Sequence, residues 1–291
     1  MKSIDNFIML PTVDFCFKEL MKNSKVRQGF VAALLRMKPE EVQETTLLPT
    51  FVSGELPDEK LGVLDVRVLL MDGTQLDLEM QVAYFAYWER RILFYLGRMY
   101  TSQLQRGDTY EKLQKCIHVS ILDFTHFPED QECYRTIHLR DDRTGKMYTD
   151  LLEIQILELG KLTDSIHGGE DIVSWMKFFG GKSREEFEHM ANTNEYVNEA
   201  YQTLLNLSAD DQKRLEYEAR EKALRDHNSQ MKSARELGMA QGIEEGRKEG
   251  RAEGKLEAYA ELVQAGILSL EEAAKHLQMP LEDLKEKLGE P

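Results

Sequence analysis

The stretch covering residues 62–82 constrains the fold of this chain more than any other. Its apolar side chains fall at every second position on both sides of an Asp72-Gly73 pair. A period of two is typical of a half-buried β-strand, and Asp-Gly is a common turn between paired strands. The sequence therefore predicts a β-hairpin, with its apolar residues at Val66, Val68, Leu70, Leu76, Leu78 and Met80.

The length of the hairpin loop decides which side chains meet across the two strands. With a two-residue Asp-Gly loop, Val66 faces Glu79, and Asp65 lies on the opposite face of the ribbon. With a three-residue loop and Gly73 in the left-handed conformation, Val66 pairs with Leu78 instead. That second register sets Asp65 directly opposite Glu79.

Two carboxylates at one cross-strand position form a candidate metal site. Cross-strand neighbours lie about 4.5 to 5.5 Å apart at Cβ, so Asp65 and Glu79 could share one divalent cation through oxygen ligands. Asp77 and Gln81 lie on the same face by strand alternation. A cation in this position supports phosphodiester hydrolysis, because it polarises a phosphoryl oxygen and activates water. The alternative is a plain exposed strand face, in which Asp65 pairs with Arg67 or other basic side chains and Glu79 is solvated.

The residues outside the hairpin predict an α/β domain followed by helices. Asp14 stands where it would cap the first helix, and residues 208–211 carry another helix-start signal. The predicted elements are a helical pair over 13–37, a helix over 84–105, and strands over 115–124, 133–139 and 148–159. We expect an α/β domain over 1–207, a long charged helix over 208–260 and a small helical segment over 261–291.

Glycine recurs at every fourth residue in a charged, helix-like part of the tail, at Gly238, Gly242, Gly246, Gly250 and Gly254. Each glycine costs a helix roughly 1 kcal/mol relative to alanine, so another interaction must offset that cost. A glycine stripe lets a second backbone approach closely, which favours helix pairing and a homo-oligomer. The alternative is a flexible, partly helical charged linker.

The last part of the chain, residues 262–288, predicts two or three short helices. Ser269 and Pro280 stand at helix starts, and Gly266 stands at a turn. The pattern has a weak likeness to a helix-turn-helix. Its last helix is rich in acidic residues, however, and is a poor surface for reading bases in the major groove.

Composition and charge argue against several classes of protein. The net charge of −15 argues against coating nucleic acid by bulk electrostatics, although it is compatible with a locally basic cleft. The apolar runs fall far short of the ~20 residues that span a bilayer, and the N-terminus has no secretory pattern. We therefore expect a cytoplasmic protein with no membrane partner. The three cysteines lack paired spacing, which predicts neither a disulfide framework nor a zinc site.

The pattern Asp65, Glu79-x-Gln81 resembles the PD-(D/E)XK nuclease signature, with glutamine in place of lysine. The wider segments PTVDFCFKELM, LDVRVLLMDGTQLDLEMQV, RRILFYLGRMYTSQLQRGDTYEKLQKCIHVSILDF and LLEIQILELGKL resemble the Rpn family of recombination-promoting nucleases and transposases, over residues 11–179. This resemblance implies a restriction-endonuclease-like α/β core, with a mixed sheet flanked by helices and an all-helical C-terminal tail. It also implies DNA as the substrate and Mg²⁺ (or Mn²⁺) as the cofactor.

The resemblance can be carried onto individual residues. It implies Asp65 and Glu79 as metal ligands and catalytic residues. Gln81 can orient water or phosphate, but its amide supplies no positive charge to the transition state. Asp14 and Lys18 match the D-x-x-x-K helix that opens the family, which brings Asp14 near the site, although helix capping is an adequate role for it.

The most basic stretch of the sequence, residues 88–115, follows the hairpin and carries interleaved tyrosines. Arg91, Tyr95 and Arg98 fall on one helical face, which together with Lys18 predicts a surface for a DNA backbone. The alternative is a solvated face with extended arginines. The sequence thus predicts a metal-dependent DNA endonuclease with a role in recombination, mobile elements or defence. The alternative is a catalytically weak DNA-binding protein or oligomeric scaffold that retains the nuclease fold.

Overall fold

The structure, a computed structural model, describes residues 7–42, 44–52, 62–84, 86–162, 171–192 and 194–288. The order of elements follows the prediction of a helical pair, a hairpin, a helix, further strands and then helices, except that two short strands over Thr45–Leu48 and Phe51–Val52, which were not predicted, precede the hairpin. The helices are α1 Asp14–Lys22, α2 Ser24–Leu35, α3 Trp88–Thr101, α4 Asp171–Gly180, α5 Arg184–Ala191, α6 Glu195–Ala209, α7 Asp211–Gln264, α8 Leu270–Leu277 and α9 Leu281–Leu288. The strands are β1 Thr45–Leu48, β2 Phe51–Val52, β3 Gly62–Val63, β4 Val66–Leu70, β5 Gln75–Gln81, β6 Cys116–Leu122, β7 Tyr134–Arg140 and β8 Met147–Glu158.

A mixed six-stranded sheet in the order β1-β4-β5-β6-β8-β7 forms the centre of the fold. The β4–β5 pair is antiparallel, whereas β6 runs parallel to both β5 and β8. Parallel neighbours need a crossover, and α3 lies in the connection between β5 and β6. Every residue of β6 is buried, as expected for a parallel strand at the centre of a sheet. The predicted fold class is confirmed.

The hairpin has the three-residue loop. Val66 pairs with Leu78, and the Leu70 N–H donates to the Thr74 carbonyl over 2.9 Å. Gly73 has φ +87°, the left-handed conformation that this loop requires. A Cβ there would also lie 2.8 Å from a carbon of Gln114. The two-residue loop, which would have separated the two acidic positions, is therefore wrong.

Helices cover both faces of the sheet. On one face, α1, α2 and α4 bury an aromatic cluster against the apolar side of the hairpin, with Phe30 and Phe179 rings 4.9 Å apart between centroids. Burying a large apolar side chain contributes about 1.5–3 kcal/mol, so this face carries most of the core. On the other face, α3 packs Trp88 and Ile92 against Leu122 and Ile156. The polar side chains of the hairpin point to this α3 side.

The helix starts confirm one capping prediction and correct another. Residue Val13 is the N-cap of α1 and forms no side-chain cap hydrogen bond, so Asp14 does not cap the helix. The helix begins one residue earlier than that role requires, and the Asp14 carboxylate instead accepts from Lys18 one turn on. At the start of α7, Asp210 accepts from the Lys213 N–H over 3.0 Å, within the predicted start signal.

The chain divides into two compact units, 1–224 and 225–291. In the second unit the glycine repeat lies within α7, and an added Cβ at any of the five glycines would meet nothing within 4 Å among the described residues. Ser269 caps α8 in a reciprocal pair with Glu272, Gly266 has φ +70°, and α9 begins directly after Pro280. The predicted short helices are confirmed. Within the described ranges, no helix combines the length and apolarity of a membrane span.

Candidate active site on the β4–β5 hairpin

The acidic residues of the hairpin are gathered by its register. Val66 pairs with Leu78 at the end of the β4–β5 ladder, and the next position on each side of the ladder holds Asp65 and Glu79. Asp65 lies immediately before β4, while Asp77 and Glu79 alternate along β5. The two predicted metal ligands therefore adjoin the same end of the ladder, where the charge of Asp65 contributes to raising the pKa of Glu79.

Glu79 is a buried carboxylate whose two oxygens have unequal surroundings. Its Oε1 accepts a hydrogen bond of 2.7 Å from the Gln81 amide and forms an ion pair with Arg91 of α3. Its Oε2 is buried and accepts no hydrogen bond from the described residues, although His118 Nε2 lies 3.7 Å away. Burial raises the pKa of Glu79 above its ordinary value, against the lowering effects of His118 and Arg91.

Asp65 forms an ion pair with a lysine from the first helix. Lys18 Nζ lies 2.9 Å from Asp65 Oδ1 and 3.4 Å from Asp14 Oδ2. Burial raises the pKa of Asp65 above its ordinary value, although the charge and hydrogen bond of Lys18 lower it in part. These three side chains line a cavity of about 290 Å³, together with Arg220 near the start of α7. The structure thus brings Asp14 and Lys18 to the site.

A buried polar network beneath the carboxylates was not predicted from the sequence. His118 Nδ1 lies 2.8 Å from Asp77 Oδ2, and His118 Nε2 lies 2.8 Å from Ser120 Oγ. Burial lowers the pKa of His118, but the hydrogen bond and charge of Asp77 outweigh it, so the net shift is upward. Alternation in CIHVSIL places His118 and Ser120 on one face of β6. Their positions beside Asp77 and Glu79 follow from the parallel β5–β6 register.

The predicted DNA-binding residues of α3 lie partly within the site. Arg91 pairs with Glu79, and its guanidinium carbon lies 5.3 Å from the centre of the Tyr95 ring. Arg98 lies two turns further along α3 and is half-buried. Arg91 is therefore a partner of a proposed metal ligand, which spacing on a helical face could not reveal.

The Asp65–Glu79 pair fits a hard divalent cation. Both side chains offer carboxylate oxygens, and Glu79 Oε2 is a buried oxygen with no hydrogen bond from the described part of the chain. Among the residues that the structure describes, no group of three or more His, Cys, Asp or Glu side chains forms a ready cage. Magnesium needs no such cage, because it binds through one or two carboxylates and completes its shell with water and substrate phosphate.

The mixed sheet, its flanking helices and the acidic hairpin define a PD-(D/E)XK-like α/β fold. The chain belongs to the PD-(D/E)XK nuclease family transposases, whose family model matches residues 11–234. This membership confirms the resemblance seen in the sequence and supports a nuclease role. No curated protein and no solved structure matches the chain closely enough to add to this assignment.

Proposed function

We propose that this protein is a Mg²⁺- or Mn²⁺-dependent DNA endonuclease with Asp65 and Glu79 as its metal ligands. The observation that carries the proposal is the buried Glu79 carboxylate, which has one oxygen without a hydrogen bond from the described residues and which, like Asp65, lies next to the last β4–β5 pair, Val66 with Leu78. A buried carboxylate is costly unless a partner compensates its charge. Family membership supports a nuclease, and a divalent cation supplies the compensation.

The proposed reaction is hydrolysis of a phosphodiester bond. A water oxygen forms a bond to phosphorus, a P–O ester bond breaks, the leaving alkoxide takes a proton from solvent and the attacking water loses one. A bound Mg²⁺ or Mn²⁺ supplies Lewis-acid polarisation and an activated water. Gln81 and Arg91 both bind Glu79 Oε1, which orients the carboxylate and leaves Oε2 free to ligate.

The proposed DNA surface includes the cations around the hairpin. Arg91, Tyr95 and Arg98 of α3 lie on one side of the site, and Lys18 lies on the other. Phosphate contacts from such side chains position a duplex without reading its bases. DNA cleavage at this site would serve recombination, mobile-element movement or defence.

Nicking of supercoiled plasmid DNA tests the proposal. Wild type, Asp65→Ala and Glu111→Ala are compared in Mg²⁺ at low salt, with an EDTA sample beside each. Glu111 is an exposed glutamate outside the hairpin and serves as the matched control. We expect wild type and Glu111→Ala to nick DNA in Mg²⁺, and Asp65→Ala and all EDTA samples to be inactive. A folded, metal-loaded wild type that never cuts DNA would rule the endonuclease out.

A second candidate function is an oligomeric scaffold, and the charges around the glycine repeat favour it. Residues equally distant from Gly250 carry opposite charges, so two antiparallel copies of α7 centred there would set acid against base. The mirrored pairs are Glu245 and Lys255, Arg247 and Glu253, and Glu249 and Arg251. The glycines between them permit close approach of two helices. We propose that the chain self-associates through this segment.

Bulky substitutions on the glycine face test self-association. Gly246→Leu and Gly250→Leu block close approach, yet leucine is a better helix former than glycine, so the helix itself is retained. Ala252→Leu adds the same side chain to a different face and serves as the control. Light scattering should show that the glycine variants dissociate while the control remains associated. A wild-type mass equal to that of one chain would contradict the scaffold.

A further inference from the structure

The proposed nuclease site has Gln81 where the PD-(D/E)XK signature has a lysine. Another cation near the site could take the place of that lysine. Gln81 is uncharged, and its amide nitrogen is already used to donate to Glu79. Developing negative charge on a phosphoryl group calls for a nearby cation. Two cations contact the proposed metal ligands, Lys18 on Asp65 and Arg91 on Glu79.

Arg91 is poorly suited to this role. It neutralises Glu79, whose side chain is only 4% exposed, so moving the guanidinium onto a substrate would leave a buried charge without its partner. Its guanidinium also lies over Tyr95, which holds it in place. Arg91 therefore has a fixed role in orienting Glu79.

Lys18 has the opposite character. Its side chain is 36% exposed, it ends in a compact ammonium with three donors, and it contacts the more accessible ligand, Asp65. Asp14, one helical turn earlier, is a second carboxylate within reach of the same nitrogen at 3.4 Å. The ammonium can therefore donate to a further acceptor while Asp14 keeps it at the site.

The cavity at Lys18 can receive an anion. Its volume is about 290 Å³, and basic side chains in its lining outnumber acidic ones. Lys22 and Glu19 pair with each other, and the charged residues that remain are the basic Lys18, Arg67 and Arg220 and the acidic Asp14 and Asp65. Because Asp65 belongs both to this cavity and to the proposed metal site, a phosphate bound here lies beside both.

We propose that Lys18 is the cationic catalytic residue of this site, with its ammonium directed at a non-bridging oxygen of the scissile phosphate. Asp14 is the positioning residue that holds it there. This inference rests on the proposed nuclease function and names the group that compensates for Gln81. It moves the lysine of the signature from β5 to α1.

Single-turnover cleavage in Mn²⁺ gives the first test, with Lys18→Gln compared with Lys22→Gln. Lys22 lines the same cavity from the same helix but pairs with Glu19. We expect Lys18→Gln to cut about 100-fold more slowly, and Lys22→Gln to cut at the wild-type rate. Adding Gln81→Lys to Lys18→Gln should restore most of the loss, because it returns an ammonium to β5. A Lys18→Gln protein that cuts as fast as Lys22→Gln overturns the inference.

Calorimetry with Mn²⁺ alone separates a catalytic role from a structural one. If Lys18 acts on the phosphate and does not shape the site, Lys18→Gln only removes a positive charge beside Asp65. Mn²⁺ binding should then tighten by about threefold. If Lys18 instead maintains the shape of the site, Mn²⁺ binding weakens in Lys18→Gln, and Gln81→Lys does not restore cleavage. That result overturns the inference.

Binding of a nuclease-resistant phosphorothioate duplex in Mn²⁺ gives a readout that needs no cleavage. Lys18→Gln should weaken this binding by about tenfold relative to Lys22→Gln, because it removes a charge-assisted hydrogen bond to phosphate. If wild type does not cut, the proposed function fails while this measurement still decides whether Lys18 contacts phosphate. If wild type cuts and duplex binding is the same in both variants, the Lys18 inference alone fails.

Discussion

Glu79 and Glu158 are two buried glutamates on the same face of one sheet, and their surroundings differ. Their exposed fractions are 3% and 0%, so depth does not separate them. Glu158 Oε1 accepts from the His126 and Phe127 backbone N–H groups over 2.6 and 3.1 Å, and Lys161 Nζ lies 2.9 Å from its Oε2. Glu158 Oε2, like Glu79 Oε2, accepts no hydrogen bond from the described residues, but the Lys161 ammonium lies close enough to compensate its charge.

Glu79 has its close partners on one oxygen only. Gln81 and Arg91 bind Oε1, whereas the ion-pair partner of Oε2 is His118, whose Nε2 lies 3.7 Å away. The comparison teaches that burial of a carboxylate does not identify a functional site. A carboxylate whose charge the fold compensates holds the structure together, and one left short of partners is available to a ligand.

The largest expected effect separates the two glutamates by activity. Glu79→Gln should lower DNA cleavage by about 1000-fold, because it removes a metal ligand while preserving shape. Glu158→Gln should cut like wild type once rates are normalised to folded protein. Plasmid nicking with Mg²⁺ measures both. An equal loss of cleavage in the two variants would show that Glu79 has no more specific role in activity than Glu158.

For the free energy of unfolding, we expect substitution of Glu158 to have a larger effect than substitution of Glu79. Glu158→Ala removes one of the two carboxylates paired with Lys161, whose side chain is 4% exposed, and also the acceptor of the His126 and Phe127 N–H groups, so it should cost about 3 kcal/mol of unfolding free energy. Glu79→Ala should cost less, since Arg91 is 34% exposed and can be hydrated. Urea denaturation in EDTA measures both free energies. A larger loss for Glu79→Ala would mean that Glu79 is the more important residue for folding.

Added metal should stabilise only proteins that retain Glu79. A ligand that binds the folded state alone at 100 times its dissociation constant contributes about 2.7 kcal/mol. Thermal unfolding with Mn²⁺ should therefore show a rise in Tm for wild type and Glu158→Gln, and none for Glu79→Gln. A similar rise in Glu79→Gln would place the bound metal elsewhere.

The smallest expected effect concerns pH. The pKa of Glu79 in the folded protein is raised from 4.5, so its contribution to stability is full below that value and is lost as pH rises through the raised pKa. Without metal, the stability of Glu79→Gln relative to wild type should therefore increase as pH rises above 4.5. Thermal unfolding in EDTA from pH 4 to 8 follows the difference, with Glu111→Gln as a baseline. If the stability of Glu79→Gln relative to wild type instead fell as pH rose, the pKa of Glu79 would not be raised in the folded protein.

Local sequence patterns were sufficient to predict the hairpin and to reduce its acidic pairing to two registers. Alternating apolar residues identify the two strands, whereas Asp72-Gly73 is compatible with both loop lengths. The structure selects the three-residue loop. Once that register is known, Asp65 and Glu79 meet by counting alone. The start of α8 at Ser269 was predictable for the same reason, since capping is a matter of neighbouring residues.

Contacts between distant segments could not be predicted in this way. His118 meets Asp77 because β5 and β6 pair in parallel, and a long crossover sets that register rather than any turn. Glu158 meets backbone N–H groups of a loop some 30 residues earlier in the chain. The capping role of Asp14 was wrong by one helix position, and that single residue decides whether its carboxylate faces the backbone or Lys18.

The most direct test of the central claim is a crystal structure with Mn²⁺, with anomalous scattering recorded at the manganese edge. The account predicts a peak between Asp65 and Glu79, with carboxylate oxygens of both at about 2.0–2.6 Å. A manganese peak that avoids both residues, or no peak at saturating Mn²⁺, would contradict it.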